Sequence, residues 1–508
     1  MIKGASDWIA HGERSLLAGL LIFAVLVAFG WVGFLGSDDV TYALGAYGWI
    51  EEFPFVGGHG TIRYPITIPM AVSFVTFGHN EFAMVLPSLI YMIAALGISW
   101  SAVRRAGGSF AAAGALAALV TSPLLVIQSS IASVDIVEMT FLWGSVLLFG
   151  RCLDDGPDAK QLAGAGALAG LAFITRETAI FIAVFYALFF LKGHRFHRGH
   201  YLWIAAGFLG VWACEVLYLW IMTGDPLYRI TISLNHDSTI DRSIDLAGNV
   251  VIHPIIDPLL VLFLNQEFMA LFFLAVPLGS WLCFSNSIEP KLKHFAQVTA
   301  LFGIVWLVCT GAAQSLLPLN PRYFMIPCLA ACILTGITLA QLIAAGGGRA
   351  KLATLAFAGL IATNLLGITV ENKDSLFGER TLARIAAQYP QEVIHSDPMT
   401  RYRADMLLRW EGARGRVKDT PTVAGQLYLY NPAHADTANF KMDAAALPAY
   451  QPRETDMVIA RYLPEPSLLA RLLETAGIAS RLPQSIWLKL RYSHPPVTLY
   501  RTRGAAKP

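Results

Sequence analysis

Long apolar runs dominate the first 370 residues of the chain. Residues 15–34 form the first run, which is long enough to cross a hydrocarbon layer of roughly 30 Å at about 1.5 Å rise per residue. Similar runs follow, each bounded by charge, glycine or proline: 82–102, 109–127, 136–151, 161–174, 178–191, 201–222, 266–284, 295–312, 323–343 and 351–369. The pattern predicts a polytopic α-helical membrane protein with about eleven transmembrane helices.

Two further apolar segments, 64–78 and 250–265, are short and rich in proline. Segments of this kind are typical of helices that lie in a membrane interface instead of crossing it. They are expected to roof a cavity on the outer side.

The pattern changes after residue 370. Alternating or β-branched runs predict strands at 392–396, 426–431, 456–462, 486–492 and 497–503, and helical periodicity appears at 403–410 and 466–477. The chain is therefore expected to consist of a transmembrane domain, residues 1–370, and a small extracytoplasmic α/β domain, residues 371–508.

Composition and charge support this division. Hydrophobic residues make up 55% of the chain and charged residues 14%, whereas soluble proteins carry roughly 25% charged residues. A net charge of +2 gives no indication of nucleic-acid binding. Basic residues concentrate in alternate connections, which predicts a cytoplasmic N-terminus, a first outer loop at 35–81 and a C-terminal domain outside the cytoplasmic membrane.

Two adjacent acids, Asp38 and Asp39, stand where the first apolar run ends, in the stretch GFLGSDDVTYALGAYGW at 33–49. Ser37 can cap a helix whose first turn holds both acids, which the helix dipole favours by a few tenths to about 1 kcal/mol each. Two acids at the mouth of a water-accessible cavity also suit a general base or a cation site. The residues alone leave both interpretations open.

Basic residues are rare on the predicted outer side of the transmembrane domain, which carries about five: Arg63, Arg176, Arg229, Arg242 and Arg322. Arg322 follows a proline that suits the first turn of a helix, and a helix N-terminus favours an anion. Guanidinium groups bind phosphate oxygens bidentately, so Arg63, Arg176 and Arg322 are candidates for a phosphate clamp. Local ion pairs, such as Arg176 with Glu177, or contacts with lipid headgroups are the alternative.

Three other patterns favour a structural role. Asp135 and Glu138 resemble a helix capping box. A metal site at His236, Asp237 and Asp241 is less favoured than a solvated loop. The glycine-dense stretch at 163–170 lies within an apolar run without a preceding strand, which favours close helix packing over nucleotide binding.

Four motifs, in order along about 330 residues, give the chain a resemblance to a known family. They are DDVTYA at 38–43, Arg63-Tyr64-Pro65, Thr175-Arg176-Glu177 and PRYFMIP at 321–327. The chain resembles the GT-C superfamily of polyprenyl-phosphate-sugar-dependent glycosyltransferases, and most closely the protein mannosyltransferases and the transferases that add aminoarabinose to lipid A.

The resemblance implies roles for individual residues. Asp38 matches the acid that acts as general base or orients the acceptor, and Asp39 stands where many relatives have glutamate. Arg63 stands where the aminoarabinose enzymes have a lysine near the donor phosphate. Thr41 stands where those enzymes have an arginine, so the geometry around the donor phosphate is expected to differ.

The sequence thus predicts an inverting glycosyltransferase that uses a polyprenyl-phosphate-sugar donor and an acceptor hydroxyl on a glycan, lipid or protein. Lipid-linked sugars are the expected donors, because nucleotide sugars are not available outside the cytoplasmic membrane. The expected site comprises Asp38 and Asp39 for catalysis, Arg63, Arg176 and Arg322 for the donor phosphate, and Tyr42, Tyr64, Glu177 and Tyr323 for substrate. No metal ligands are assigned and no cofactor is required, although a divalent cation is compatible with the acid pair. The alternative is a transporter of an anionic lipid-linked sugar.

Overall fold

The structure is a computed structural model that describes residues 2–193, 196–235, 256–313, 320–372, 376–419, 425–435, 451–492 and 494–503. The chain forms two compact units. The helical unit comprises Met1–Gly33 and Tyr42–Glu371, and the α/β unit comprises Phe34–Thr41 and Asn372–Pro508. The short segment that carries Asp38 and Asp39 is therefore grouped with residues more than 300 positions later.

Helices account for nearly all regular structure up to residue 371. Their bounds are α1 Ile2–Phe29, α2 Asp38–Glu51, α3 Tyr64–Phe77, α4 Glu81–Thr121, α5 Pro123–Ser129, α6 Val134–Asp155, α7 Ala159–Thr175, α8 Ile182–Lys192, α9 Tyr201–Thr223, α10 Tyr228–Asn235, α11 Ile256–Leu264, α12 Leu271–Phe284, α13 Pro290–Ala312, α14 Met325–Ala344 and α15 Gly347–Glu371. Short 3₁₀ turns at Glu177–Phe181, Arg198–His200 and Pro321–Phe324 precede α8, α9 and α14.

Six helical stretches within the described residues are long and apolar enough to cross a membrane: Glu81–Thr121, Val134–Asp155, Arg198–Thr223, Pro290–Ala312, Pro321–Ala344 and Gly347–Glu371. The chain is thus an integral membrane protein of helical architecture, and the total of about eleven spans stays a prediction. Predicted run 82–102 and most of run 109–127 fall in α4, which is interrupted at Gly108, and the second run continues into α5. At Gly108 φ is 82°, a conformation that glycine adopts without steric cost.

Glycines bring α7 against α9. A Cβ added at Gly166 would collide with the carbonyl oxygen of Ile204, and one added at Gly207 would collide with that of Ala163. This confirms that the glycine-dense stretch packs helices together. Arg176 directly follows α7 and begins the turn into α8.

The α/β unit contains a five-stranded sheet of order β2-β1-β3-β5-β4. Its strands are β1 Ile394–Ser396, β2 Val417–Lys418, β3 Leu427–Tyr430, β4 Met457–Tyr462 and β5 Val497–Arg501. Strand β1 runs parallel to β2 and β3, whereas β5 is antiparallel to β3 and β4. The helices of this unit are α16 Phe377–Gln388, α17 Pro398–Trp410, α18 Pro432–Ala435, α19 Leu468–Thr475 and α20 Gln484–Arg491.

One predicted strand is wrong. Residues 486–492 fall largely within α20 and not in the sheet. Pro483 precedes the helix and suits a helix start, and a short apolar run does not distinguish strand from helix. The C-terminal end of α20 meets the start of α19, where Ser467 donates to the carbonyl oxygens of Leu490 and Arg491 at 2.7 and 2.8 Å.

Candidate active site

The two adjacent acids have different environments. Asp39 is buried, and its carboxylate accepts backbone N–H groups from Leu35 at 2.6 Å, Ser37 at 2.7 Å and Val40 at 3.1 Å. Burial raises the pKa of Asp39, while these three donors oppose that rise. Asp38, one position earlier, is exposed at the first turn of α2. Asp39 therefore shapes the turn, and Asp38 is the acid presented to solvent.

Arg63 and Tyr42 form one group of the helical unit. Arg63 is half-buried immediately before α3, and its Nη1 donates to the hydroxyl of Tyr42 at 3.0 Å. Its guanidinium lies 5.6 Å from the centroid of the Tyr42 ring, and Nη2 lies 3.4 Å from Nε2 of His59. The buried Nε of Arg63 has no hydrogen-bond partner among the described residues, which leaves one directed donor for a ligand.

Arg176 is buried in a second group. Its guanidinium forms an ion pair with Asp135 and lies 4.0 Å from a carboxylate oxygen of Glu138. Glu138 also accepts from the hydroxyl of Thr178 at 2.6 Å. The capping-box interpretation of Asp135 and Glu138 is therefore wrong, because both acids bind side chains of the turn that Arg176 begins. Ser133, at the N-cap, makes no side-chain cap.

Arg322 and Tyr323 complete this second group. Guanidinium carbons of Arg176 and Arg322 lie 4.3 and 5.3 Å from the centroid of the Tyr323 ring. Asn320 caps the 3₁₀ turn by accepting the N–H of Arg322 at 3.1 Å, and Trp306 donates to the carbonyl of Tyr323 at 2.9 Å. A small cavity lies beside this second group, and its lining includes Asp135, Glu138, Arg176, Thr178, Arg322 and Tyr323.

Glu177 belongs to a buried ion cluster that the sequence interpretation did not identify. Its carboxylate lies 2.8 Å from Nη1 of Arg229, and Arg229 Nε donates to both carboxylate oxygens of Glu215 at 2.9 Å. Burial acts to raise the pKa of Glu177, but the charges of Arg229 and Arg63 outweigh it and lower this pKa to about 2. The local ion pair of Arg176 with Glu177, one of the alternatives from the sequence, is thus wrong. Each of the two residues pairs with a residue that is distant in the sequence.

Arg229 also orders two backbone segments. Its Nη2 donates to the carbonyl oxygens of Ile62 at 2.8 Å and Ile174 at 2.9 Å. Ile62 precedes Arg63, and Ile174 lies two residues before Arg176. An available signal for this cluster was Glu215, an acid inside the apolar run 201–222, since acids within membrane helices are rare and usually paired.

Tyr64 lies in an aromatic group. Its ring contacts those of Trp49 and Tyr218 edge-on, with centroids 5.7 and 5.8 Å apart. Such a surface suits either sugar stacking or interfacial anchoring. The candidate metal residues His236, Asp237 and Asp241, together with Arg242, lie outside the described residues. Within the described ranges no three His, Cys, Asp or Glu side chains are grouped as metal ligands.

A large apolar cavity of about 730 Å³ lies elsewhere in the helical unit, bounded by α8, α11, α12, α13 and α14. Its lining is mainly aliphatic and aromatic, with Lys192, His294 and Gln297 among its few polar residues. The cavity is large enough and apolar enough for part of a lipid chain.

The architecture of the chain is similar to that of known proteins. A family model described as dolichyl-phosphate-mannose-protein mannosyltransferase matches residues 65–220. ArnT from Cupriavidus metallidurans in the apo state is similar over 98% of this chain and 98% of its own, at 12% identity and a TM-score of 0.57. The chain has the GT-C fold. The fold that the resemblance of the four motifs implies is thereby confirmed.

Two other solved GT-C structures are similar. ArnT bound to undecaprenyl phosphate matches at 12% identity and a TM-score of 0.55, over 84% of this chain and 94% of that one. Archaeal oligosaccharyltransferase AglB from Archaeoglobus fulgidus, in complex with an inhibitory peptide and a dolichol-phosphate, matches at 11% identity and a TM-score of 0.50, over 83% and 69%. No curated protein matches the chain in sequence.

Proposed function

We propose that this GT-C protein is a glycosyltransferase that moves a sugar from a polyprenyl-phosphate donor to an acceptor hydroxyl. The observation that carries the proposal is the pair of guanidinium groups, Arg176 and Arg322, beside one tyrosine ring at the edge of a cavity. The partly exposed guanidinium of Arg322 can bind a phosphate group there and stabilise it as a leaving group, while the charge of Arg176 is balanced by Asp135. Undecaprenyl phosphate and dolichol-phosphate are bound in the structures of the similar ArnT and AglB.

The three arginines have unequal parts in this proposal. Arg176 is buried against Asp135, so its charge is largely matched within the protein and it mainly orders the site. Arg322 is partly exposed and lines the cavity, and Arg63 keeps a buried donor without a partner among the described residues. We therefore assign direct phosphate contacts to Arg63 and Arg322, with Arg176 supporting them.

Asp38 acts on the acceptor in the proposed reaction. It accepts the proton of the acceptor hydroxyl as that oxygen attacks the anomeric carbon from the face opposite the phosphate. The bond from the anomeric carbon to the phosphate oxygen breaks, and the polyprenyl phosphate leaves with the electron pair. Attack from the opposite face inverts the anomeric configuration. In this scheme the sugar and the phosphate of the donor are contacted by Tyr42, Tyr64, Glu177 and Tyr323.

The apolar cavity supplies a place for the isoprenoid tail. Its lining comes from helices of the helical unit and is mainly aliphatic and aromatic. We also propose that the N-terminus is cytoplasmic and the α/β unit extracytoplasmic, in a bacterial inner membrane, because basic residues follow the alternate connections. The acceptor is a glycan, lipid or protein hydroxyl, and the reaction needs no resident metal.

The test is sugar transfer by membranes that contain the wild-type protein or Asp38→Asn, with a panel of radiolabelled polyprenyl-phosphate sugars. Wild type is expected to label a new product, and Asp38→Asn is expected to transfer at least about 100-fold more slowly, since general-base catalysis contributes that much. Glu465→Gln removes a highly exposed acid of the same unit and is expected to leave the rate unchanged. Addition of a chelator is expected to have no effect.

Equal rates for wild type and Asp38→Asn would refute the catalytic assignment. Movement of labelled donor across the membrane of sealed vesicles, without any transfer to an acceptor, would refute the proposed enzymatic activity and support the transporter alternative. The comparisons do not favour that alternative.

A further inference from the structure

Side chains of the α/β unit hold the segment that leads into Asp38. The ring of Phe34 is almost fully buried and meets Trp410 of α17 edge-on, with centroids 5.6 Å apart. The carbonyl oxygen of Phe34 accepts from Nη2 of Arg380 at 3.3 Å, and that of Leu35 accepts from Nη2 of Arg403 at 3.1 Å. Two successive peptide groups are therefore held by arginines of helices α16 and α17.

Gly36 permits a close approach to α17. Its φ is +64°, a left-handed conformation, and a Cβ added there would lie 3.2 Å from the carbonyl oxygen of Arg403. A side chain at this position would be strained and would press on the helix backbone. The backbone of the segment thus lies directly against the helix that carries Arg403.

Arg403 is itself held by a buried acid. Its Nη1 lies 3.8 Å from Oε1 of Glu379, and the same oxygen lies 2.8 Å from Nε2 of His434. Glu379 is fully buried, and its Oε2 has no partner among the described residues. Burying a carboxylate is costly unless it is paired, and His434 is the nearer of the two partners of Glu379, so this pairing remains when Arg403 is replaced.

Asp39 connects this arrangement to the candidate base. Its Oδ2 accepts the N–H of Leu35, the residue whose carbonyl is bound by Arg403. A continuous set of polar contacts therefore runs from Glu379 through Arg403 and Leu35 to Asp39, the immediate neighbour of Asp38. Each link is between groups of one unit.

We propose that Arg403 is a positioning residue that fixes the turn from which Asp38 acts, and that this is a function of the α/β unit in the reaction. The inference rests on the proposed function, because positioning matters only if Asp38 takes part in transfer. A general base must lie within hydrogen-bond reach of the acceptor hydroxyl, and displacements near 1 Å cost up to about 100-fold in rate. Arg403 touches the backbone and acts through Asp39 and Asp38.

The experiment compares Arg403→Met, which keeps the stem and removes the donors, with Arg403→Lys, which keeps a cationic donor. Arg471→Met is the control, because Arg471 is an exposed residue of the same unit that pairs only loosely with exposed Glu465. Arg403→Met is expected to lower kcat about tenfold or more without raising KM for the donor. Arg403→Lys is expected to recover part of kcat, and Arg471→Met to match wild type.

Amide hydrogen exchange is measured on the same purified proteins. Peptides that cover residues 34–41 are expected to exchange at least about tenfold faster in Arg403→Met, while peptides from strands β1, β3 and β5 keep wild-type rates. Faster exchange in those strands as well would mean that Arg403 supports the fold and not the turn, which would overturn the proposal. Wild-type exchange at 34–41, or an unchanged kcat in an active enzyme, would also overturn it.

The exchange measurement separates this inference from the proposed function. If the wild-type protein transfers no sugar from any donor, the proposed function fails and the positioning of Asp38 for transfer fails with it. If exchange at 34–41 is faster in Arg403→Met despite that failure, Arg403 still orders the turn. If transfer is normal and Asp38-dependent but exchange is unaffected, only the inference fails.

Discussion

Neighbouring residues in this chain have separate tasks because helix geometry points them in different directions. Asp38 and Asp39 are adjacent in sequence, yet about 100° separates successive side chains on a helix. One carboxylate turns inward to three backbone donors and the other faces solvent. Asp39 therefore has a structural role in the turn before α2, and the catalytic role of Asp38 stays a proposal.

Arg322 and Arg176 are expected to differ when each is replaced by glutamine. Arg322→Gln should raise KM for the donor about tenfold or more with little change in stability, because it removes a charged hydrogen bond from a partly exposed side chain. Arg176→Gln should lower the free energy of unfolding by about 3–5 kcal/mol, because it leaves Asp135 buried without its cation. Donor kinetics and thermal unfolding in detergent measure the two effects.

The matched control for Arg176 is the double variant Asp135→Asn/Arg176→Gln, which removes both charges. It should recover much of the lost stability, since no uncompensated charge is left buried. A double variant as unstable as Arg176→Gln alone would contradict the ion-pair explanation.

At the scale of elements, long apolar helices were predictable and short mixed segments were not. Runs of twenty apolar residues have one stable solution in a membrane, the helix, because every backbone group must be bonded internally. Residues 486–492 carry an alternating pattern over only a few positions, which is too short to distinguish a strand from a helix. The preceding proline and the packing against α19 favour the helix that the structure shows. The two-residue strand β2 is too short to leave a pattern at all.

The Arg229 cluster links several elements and gives a prediction about stability. Arg229→Met is expected to lower the free energy of unfolding by about 3–5 kcal/mol, because Glu215 inside α9 then lacks its cation and two carbonyl groups lose a donor. Thermal unfolding in detergent measures the loss. Arg229→Met/Glu215→Leu is expected to restore part of it.

A second ion pair provides the comparison. Arg105→Met removes an arginine whose partner Asp155 is largely exposed, and it should cost no more than about 1 kcal/mol. Equal losses for Arg105→Met and Arg229→Met would show that burial of the Arg229 cluster does not matter to stability.

The whole molecule provides the space that no single element has. The cavity of about 730 Å³ is formed by α8 together with the consecutive helices α11 to α14, so no single helix encloses it. Ala275→Phe should narrow it and raise KM about fivefold or more for a long-chain polyprenyl donor, while leaving KM for a short-chain donor unchanged. Transfer assays with the two donors test this.

Leu355→Phe is the control for the cavity, because Leu355 is exposed on α15 and does not line it. It should leave both KM values at the wild-type level. An equal rise in KM for long-chain and short-chain donors with Ala275→Phe would indicate general distortion of the protein. It would contradict the assignment of the lipid tail to this cavity.

Some properties of this protein follow from its sequence alone. Hydrophobic runs determine a helical membrane protein, because burial of apolar surface and internal backbone bonding act locally on each run. The four ordered motifs predicted the GT-C fold, and four of the five predicted strands are present in the sheet. Arg176, Arg322 and Tyr323 were identified as candidates, and the fold brings them together.

Tertiary structure alone decided the partners of those residues. Arg176 pairs with Asp135, 41 positions earlier, and not with adjacent Glu177, which pairs with Arg229. The turn around Asp39 is held by Arg403, 368 positions away from Leu35. A charge pattern shows which residues need a counter-ion, but the choice among distant partners depends on helix packing, which is a property of the folded chain.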